Sequence, residues 1–144
     1  MTRLLLSLLF LSLVMAKPSF SSDFQKGLKA FNDGDFQTAI RVWTPVAEQG
    51  DAIAQYNLGL LYEKGRGVTP DHQIAFRWYS RAAEGGIPQA QLNLGELYRR
   101  GLGVTKNYQH AVKWYRRAAL QGNAAAQSNL GIMYEHGVGV DQDV

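Results

Sequence analysis

Apolar positions recur along this chain with helical spacing, and the whole pattern returns every 36 residues. Ala54, Leu58 and Tyr62 stand at i, i+4 and i+8, which sets them on one face of a predicted helix. Ala75, Tyr79 and Ala82 stand at i, i+4 and i+7 and predict a second. The string Ala54-Gln55-Tyr56-Asn57-Leu58-Gly59 comes back as Ala90-Gln91-Leu92-Asn93-Leu94-Gly95 and as Ala126-Gln127-Ser128-Asn129-Leu130-Gly131. Tyr62, Tyr98 and Tyr134 follow the same step, as do Gly65, Gly101 and Gly137, Gly67, Gly103 and Gly139, and Val68, Val104 and Val140. In the second half of the unit the step joins Ala75 to Ala111, Trp78 to Trp114, Tyr79 to Tyr115 and Ala82-Ala83 to Ala118-Ala119.

Start and stop signals agree with two helices per unit. Asp51 and Asn123 are placed as N-caps, and Thr69-Pro70-Asp71 offers a cap, a proline in the first turn and an acid near the positive helix end. Gly65, Gly101 and Gly137 stand at C-cap positions, and Gly86 and Gly122 end the second helices. Gly59, Gly95 and Gly131 fall inside helices, where glycine costs about 1 kcal/mol against alanine. Close approach of a partner helix with small facing residues, Ala75 and Ala82, is the expected compensation. One hairpin cannot bury its apolar faces, whereas stacked hairpins share a continuous core. The predicted fold is therefore all-α, an α-solenoid of antiparallel helix pairs. Residues 17–49 form a degenerate capping pair, 50–85 and 86–121 two full units, and 122–144 a partial third. The face prepared by Leu130 and Tyr134 then lacks a second helix, so a shortened form of a larger repeat protein is one reading of the chain.

The first 16 residues belong to a different pattern. Arg3 precedes an apolar run from Leu4 to Val14, and Val14-Met15-Ala16 has the small or β-branched residues of a signal-peptide cleavage site. The run is shorter than the roughly 20 residues a spanning helix needs. Export with cleavage after Ala16 follows, to the periplasm or the exterior, with no membrane span left in the mature chain. Composition narrows the chemistry further. With 46% apolar and 19% charged residues the chain is ordinary globular material, and a formal charge of +3 does not indicate nucleic acid. The absence of cysteine excludes disulfides, thiolate metal sites, cysteine nucleophiles and lipoprotein acylation.

The string A-x-x-x-L-G-x-x-Y-x-x-G-x-G-V, followed by A-x-x-W-Y-x-x-A-A and a closing glycine, resembles the Sel1-like repeat, a relative of the tetratricopeptide repeat. It is present as Ala54–Val68 with Ala75–Gly86, Ala90–Val104 with Ala111–Gly122, and Ala126–Val140. The resemblance implies an exported bacterial scaffold or adaptor. Some related solenoids are disulfide-rich and β-lactamase-like, which makes a hydrolase of cell-wall or β-lactam substrates the alternative. This chain lacks every cysteine of that pattern.

Candidate chemistry is sparse. Gly65-Arg66-Gly67-Val68 follows a helix, lacks the phosphate-loop spacing and repeats three times, so it reads as a turn. His72, His110 and His136 occupy three different repeat positions, and no H-x-x-x-H pair exists. Ser22, Ser80 and Ser128 lack a nucleophile elbow, and Glu63, Glu96 and Glu135, near helix ends, read as solvated. Trp43, Trp78 and Trp114 read as inter-helix core. No catalytic residue, metal ligand or cofactor is assigned, and the oligomeric state is left open. What remains is a surface. If the first helix of each unit lines the concave side, as the resemblance implies, the candidate binding residues are Tyr56, Asn57, Leu60, Leu92, Asn93, Glu96, Arg99, Arg100 and Asn129. Asn57, Asn93 and Asn129 make a repeated amide column, fit either for loop carbonyls or for an extended peptide backbone. Between Glu96 and Glu135 there is no acid, while Arg99, Arg100, Lys106, Lys113, Arg116 and Arg117 lie there. Arg41, Arg77 and Lys113 share repeat register as an outer basic column. The expected ligand is a protein or peptide, an acidic one on the strength of that field.

Overall fold

The computed structural model describes residues 20–140, so the signal segment expected over residues 1–16 lies outside the described part. Seven α-helices follow one another: α1 (Phe20–Asn32), α2 (Phe36–Glu48), α3 (Ala52–Lys64), α4 (His72–Glu84), α5 (Pro88–Arg100), α6 (Tyr108–Leu120) and α7 (Ala124–Glu135). Among the described residues there is no strand. Each helix packs chiefly on its neighbours in sequence, which is the contact pattern of a stacked helical-hairpin solenoid. No described helix is long and apolar enough to cross a membrane.

The caps explain where the helices begin. Asp35, Asp51, Asp71, Asn107 and Asn123 each accept a hydrogen bond from the backbone N–H three residues on. α5 has no such side chain and starts instead with Pro88, whose missing N–H costs nothing there. The expectation that Pro70 sits in the first turn of α4 is corrected: Asp71 is the N-cap and His72 the first helical residue. Pro70 lies in the loop, against Gly65, and the Asp71 amide bonds back to the Tyr62 carbonyl at 2.9 Å.

The core runs through the stack as three linked clusters. Trp43, Leu58 and Leu61 anchor the first, Tyr79, Leu94, Leu97 and Trp114 the second, and Tyr115 and Met133 the third. All three tryptophans serve this core; Trp78 is half-buried and packs on the first cluster. The glycine loops lock one hairpin to the previous one. A Cβ on Gly103, which has φ +70°, would stand 2.2 Å from the His72 carbonyl at the start of α4. Gly67 meets the start of α2 and Gly139 the start of α6 in the same way. The repeated loop is thus a backbone-to-helix contact that only glycine fits.

Candidate interaction surface

Inside each hairpin a first-helix glycine receives an aromatic ring. A Cβ on Gly59 would fall 2.5 Å from the Tyr79 ring, and one on Gly95 would fall 2.7 Å from that of Tyr115. The nearest neighbours of these glycines are therefore tyrosine rings, beside which the Ala111 carbonyl, in the register of Ala75, stands 3.2 Å from the Gly95 Cβ position. Ala75 and Ala82 flank the ring and let the helix backbones close around it.

The far end of each ring meets a carboxylate. The Tyr79 hydroxyl donates to Glu63 Oε2 at 2.6 Å, and the Tyr115 hydroxyl donates to Glu96 Oε2 at 2.7 Å. Glu63 and Glu96 are half-buried, which overturns the solvated reading; of the three glutamates only Glu135 is exposed. Burial first, and then the neighbouring carboxylate, push both phenols well above the ordinary tyrosine value. Tyr56 tilts against Tyr79 with ring centres 5.9 Å apart, and burial raises its phenol too. The Asn93 amide, on α5, opposes that rise at both phenols of the α3–α4 hairpin.

Glu96 is the centre of a second group. Arg99 donates to both of its oxygens, through Nε to Oε2 at 3.0 Å and Nη2 to Oε1 at 2.5 Å, and Arg100 Nε stands 4.0 Å from Oε1. The Arg99 hydrogen bond holds the Glu96 carboxyl below the ordinary glutamate range, against the desolvation that raises it. Glu96 in turn raises the Arg99 guanidinium, so both groups stay charged. Glu96 and Arg99 line an open groove of about 480 Å³ together with Asn129, Ile132 and Met133.

The candidate residues are thus distributed rather than gathered. Tyr56 and Asn93 meet around Tyr79, while Glu96, Arg99 and Arg100 meet at the end of α5, with Asn129 across the groove. Leu60 and Leu92 are half-buried and pack on the second and third core clusters. Asn57 is half-buried on α3.

A different amide column does the bonding between helices. Gln55, Gln91 and Gln127 donate through Nε2 to the carbonyls of Ala47, Ala83 and Ala119, at 2.9, 3.1 and 3.2 Å. Those carbonyls end the preceding helices, where each also accepts the N–H of the closing glycine, Gly50, Gly86 or Gly122. Gln55 and Gln91 are buried, and Gln121 donates across the stack to Gln91 at 2.9 Å.

The basic residues are partly committed. Arg117 pairs with Glu84 at 3.7 Å and lies over the Trp114 ring, and Arg81 lies over Trp78 while donating to the Glu48 carbonyl at 3.2 Å. Arg100, Lys106, Lys113 and Arg116 are exposed, as are Arg41 and Arg77. His110 stacks on Tyr98, and His136 holds the Ile132 carbonyl. Among the described residues no three His, Asp or Glu side chains are placed to hold a metal.

The Sel1 repeat profile matches residues 52–87, 88–123 and 124–144. The chain belongs to the Sel1 repeat family. Its solved relatives repeat the same architecture. One is a protective antigen of uropathogenic Escherichia coli with an SLR fold, at TM-score 0.81 and 35% identity over 84% of this chain and 27% of that one. Another is a Sel1 repeat protein from Oxalobacter formigenes, at TM-score 0.78 and 37% identity over 83% of this chain and 49% of the other. A third is Helicobacter pylori cysteine rich protein B, at TM-score 0.63 and 25% identity over 77% and 94%. This Sel1 repeat chain spans about a quarter and about half of the first two. No curated protein matches it in sequence. Sel1 repeat proteins are typically protein–protein interaction scaffolds and generally non-enzymatic.

Proposed function

We propose that this Sel1 repeat chain is a non-enzymatic, exported interaction scaffold that holds a protein or peptide segment along the face formed by α3, α5 and α7. The observation that carries the reading is the groove between α5 and α7. It sets apolar Ile132 and Met133 beside the Asn129 amide and the Glu96–Arg99 pair, with exposed Arg100 next to them. A peptide backbone finds donors and acceptors there, an apolar side chain finds a floor, and an acidic residue finds Arg100. The stacked helices are preformed, so binding spends little on ordering the receptor. Export is supported by the Arg3–Ala16 pattern, and the relation to a protein described as a protective antigen agrees with it.

Capture of partners from an envelope fraction, read by mass spectrometry, tests the reading. Replacing Arg99 and Arg100 by Glu should abolish capture while the helical circular dichroism spectrum is kept. Because Arg99 also clamps Glu96, Arg100→Glu alone is the cleaner variant. Capture unchanged by both would remove the groove from the binding surface.

A further inference from the structure

A pocket between α2, α3 and α4 leaves unanswered a set of side chains that the next hairpin satisfies internally. It is open, measures about 400 Å³ and is lined by Glu48, Tyr62, Ile74, Arg77, Trp78 and Arg81. One repeat later the same six positions carry Glu84, Tyr98, His110, Lys113, Trp114 and Arg117. There the groups answer one another. His110 stacks on Tyr98 with ring centres 4.9 Å apart, Arg117 pairs with Glu84 at 3.7 Å, and Trp114 is buried. In the earlier copy Ile74 brings no ring to Tyr62, and Trp78 stays half-buried. Arg81 donates to the Glu48 main-chain carbonyl at 3.2 Å instead of pairing with a carboxylate. Among the described residues no carboxylate pairs with Arg77 or Arg81.

The lining selects its ligand. Arg77 and Arg81, one turn apart on α4, bring two guanidiniums to the pocket against the single carboxylate of Glu48 on α2. An anion is therefore favoured, and a carboxylate suits the guanidinium fork. Ile74, Tyr62 and Trp78 add an apolar wall. The Arg81 guanidinium already lies over the Trp78 ring, 5.1 Å from its centre, so a sugar stacked there would have to displace it. Glu48, across the pocket on α2, can accept an N–H. The volume is at the lower end of the roughly 300–1,000 Å³ typical of small-molecule pockets. We propose that this pocket binds an N-acylated apolar amino acid by its free carboxylate, either as a small molecule or as the last residue of a peptide. The carboxylate sits on Arg77 and Arg81, the side chain rests on Ile74 and Tyr62, and the amide N–H donates to Glu48. The site shares no residue with the α5–α7 groove and does not depend on it.

N-acetyl-leucine, titrated into the full chain with tryptophan emission as the readout, tests the site. A saturable change with a dissociation constant of about 1 mM is expected for a ligand of this size. Trp78→Phe should remove the signal, because Trp43 and Trp114 are buried away from the pocket. N-acetyl-leucine amide, which has no charge, should bind about tenfold more weakly or worse, and added salt should weaken the acid. Arg77→Gln should weaken binding about tenfold. Ile74→His installs the residue of the satisfied copy; it should close the pocket against Tyr62 and abolish binding with helicity unchanged. Arg77 is exposed and unpaired, so Arg77→Gln keeps the test valid if Ile74→His unfolds. Arg100→Glu should leave binding intact, which separates this pocket from the groove. A peptide ending in leucine that binds at least tenfold tighter than N-acetyl-leucine identifies a chain terminus as the source, and equal affinity identifies the small molecule. The proposal is overturned if no saturable change is seen, if acid and amide bind alike, or if Arg77→Gln or a folded Ile74→His binds as well as the parent.

Discussion

The ring of Tyr79 occupies the space in which any side chain at Gly59 would stand, with Cδ1 and Cε1 both 2.5 Å from an ideal Cβ there. Tyr79 has no exposed surface, so the ring has nowhere to retreat. The glycine is a steric requirement of the hairpin, and its poor helix propensity is the cost of seating an aromatic between two helices.

Gly59→Ala and Gly95→Ala should therefore destabilise the fold by about 1–3 kcal/mol, the usual cost of overpacking, although alanine is the better helix former. Gly131→Ala should do the opposite. With nothing within 4 Å of its Cβ, it gains helix propensity of up to about 1 kcal/mol with no clash. Urea midpoints of the three variants decide the matter. Equal shifts of one sign at all three positions would show that the rings do not set the glycines.

Tyr79→Phe keeps the ring and removes the donor to Glu63. A hydrogen bond to a charged acceptor is worth about 1.5–3 kcal/mol, and loss of that order is expected. The same contact has an alkaline signature. Burial and the carboxylates raise the Tyr79 and Tyr115 phenols above 10.0, so their stabilisation is complete below that pH and is lost as pH climbs toward the folded values. Tyrosinate absorbance from Tyr79 and Tyr115 should rise in a late, cooperative phase that coincides with loss of helicity. A single smooth titration that leaves the helices intact would contradict this.

Most of the helical architecture was legible because a fixed step of 36 residues marks every element twice or three times over. Asp51 and Asn123 read as caps because capping depends on residues within three positions of each other. Contacts between helices were harder to read. The glutamates at 63 and 96 looked solvated from their place near helix ends, yet one lies four residues after its glycine and the other only one. Two different offsets reach the same phenol position, and repeat register alone hides that. Pro70 matched the first-turn rule but serves the loop, because Asp71 caps better and also ties back to Tyr62. The glutamine column did leave a signal: Gln55, Gln91 and Gln127 share the 36-residue step with Ala47, Ala83 and Ala119, whose carbonyls they bind.

That column makes a separate prediction. Gln91 is buried, donates to the Ala83 carbonyl and accepts from Gln121, so it closes a helix end and joins two hairpins. Gln91→Leu keeps the volume but leaves the Ala83 carbonyl with only the Gly86 N–H and returns the exposed Gln121 amide to water. The expected loss is about 0.5–1.5 kcal/mol, the net worth of a hydrogen bond. Gln127→Leu should cost less, because Gln127 is exposed and water can replace it at the Ala119 carbonyl. Thermal melts of the two variants give the comparison, and equal losses would remove burial as the reason.

Glu96 sets the acid limit. Its carboxyl is held below the ordinary value of 4.5, first by the Arg99 hydrogen bond and then by the Tyr115 hydroxyl and the nearby guanidinium charges. A carboxyl lowered on folding contributes stability that is present above its unfolded value and is lost as pH falls through the lower folded one. Stability should therefore decline as pH drops below about 4.5, as protonated Glu96 loses its pairing with Arg99 on α5 and its charge-assisted bond from Tyr115 on α6. Glu96→Gln retains an acceptor for Tyr115 but has no charge to lose, so its stability should start lower at neutral pH and fall less steeply in acid. Arg99→Gln should flatten the same limb from the other side of the pair. Urea midpoints measured from neutral pH downward give the slopes. If both variants keep the parent's acid slope, other carboxylates govern it and the Glu96–Arg99 pair is only a surface contact.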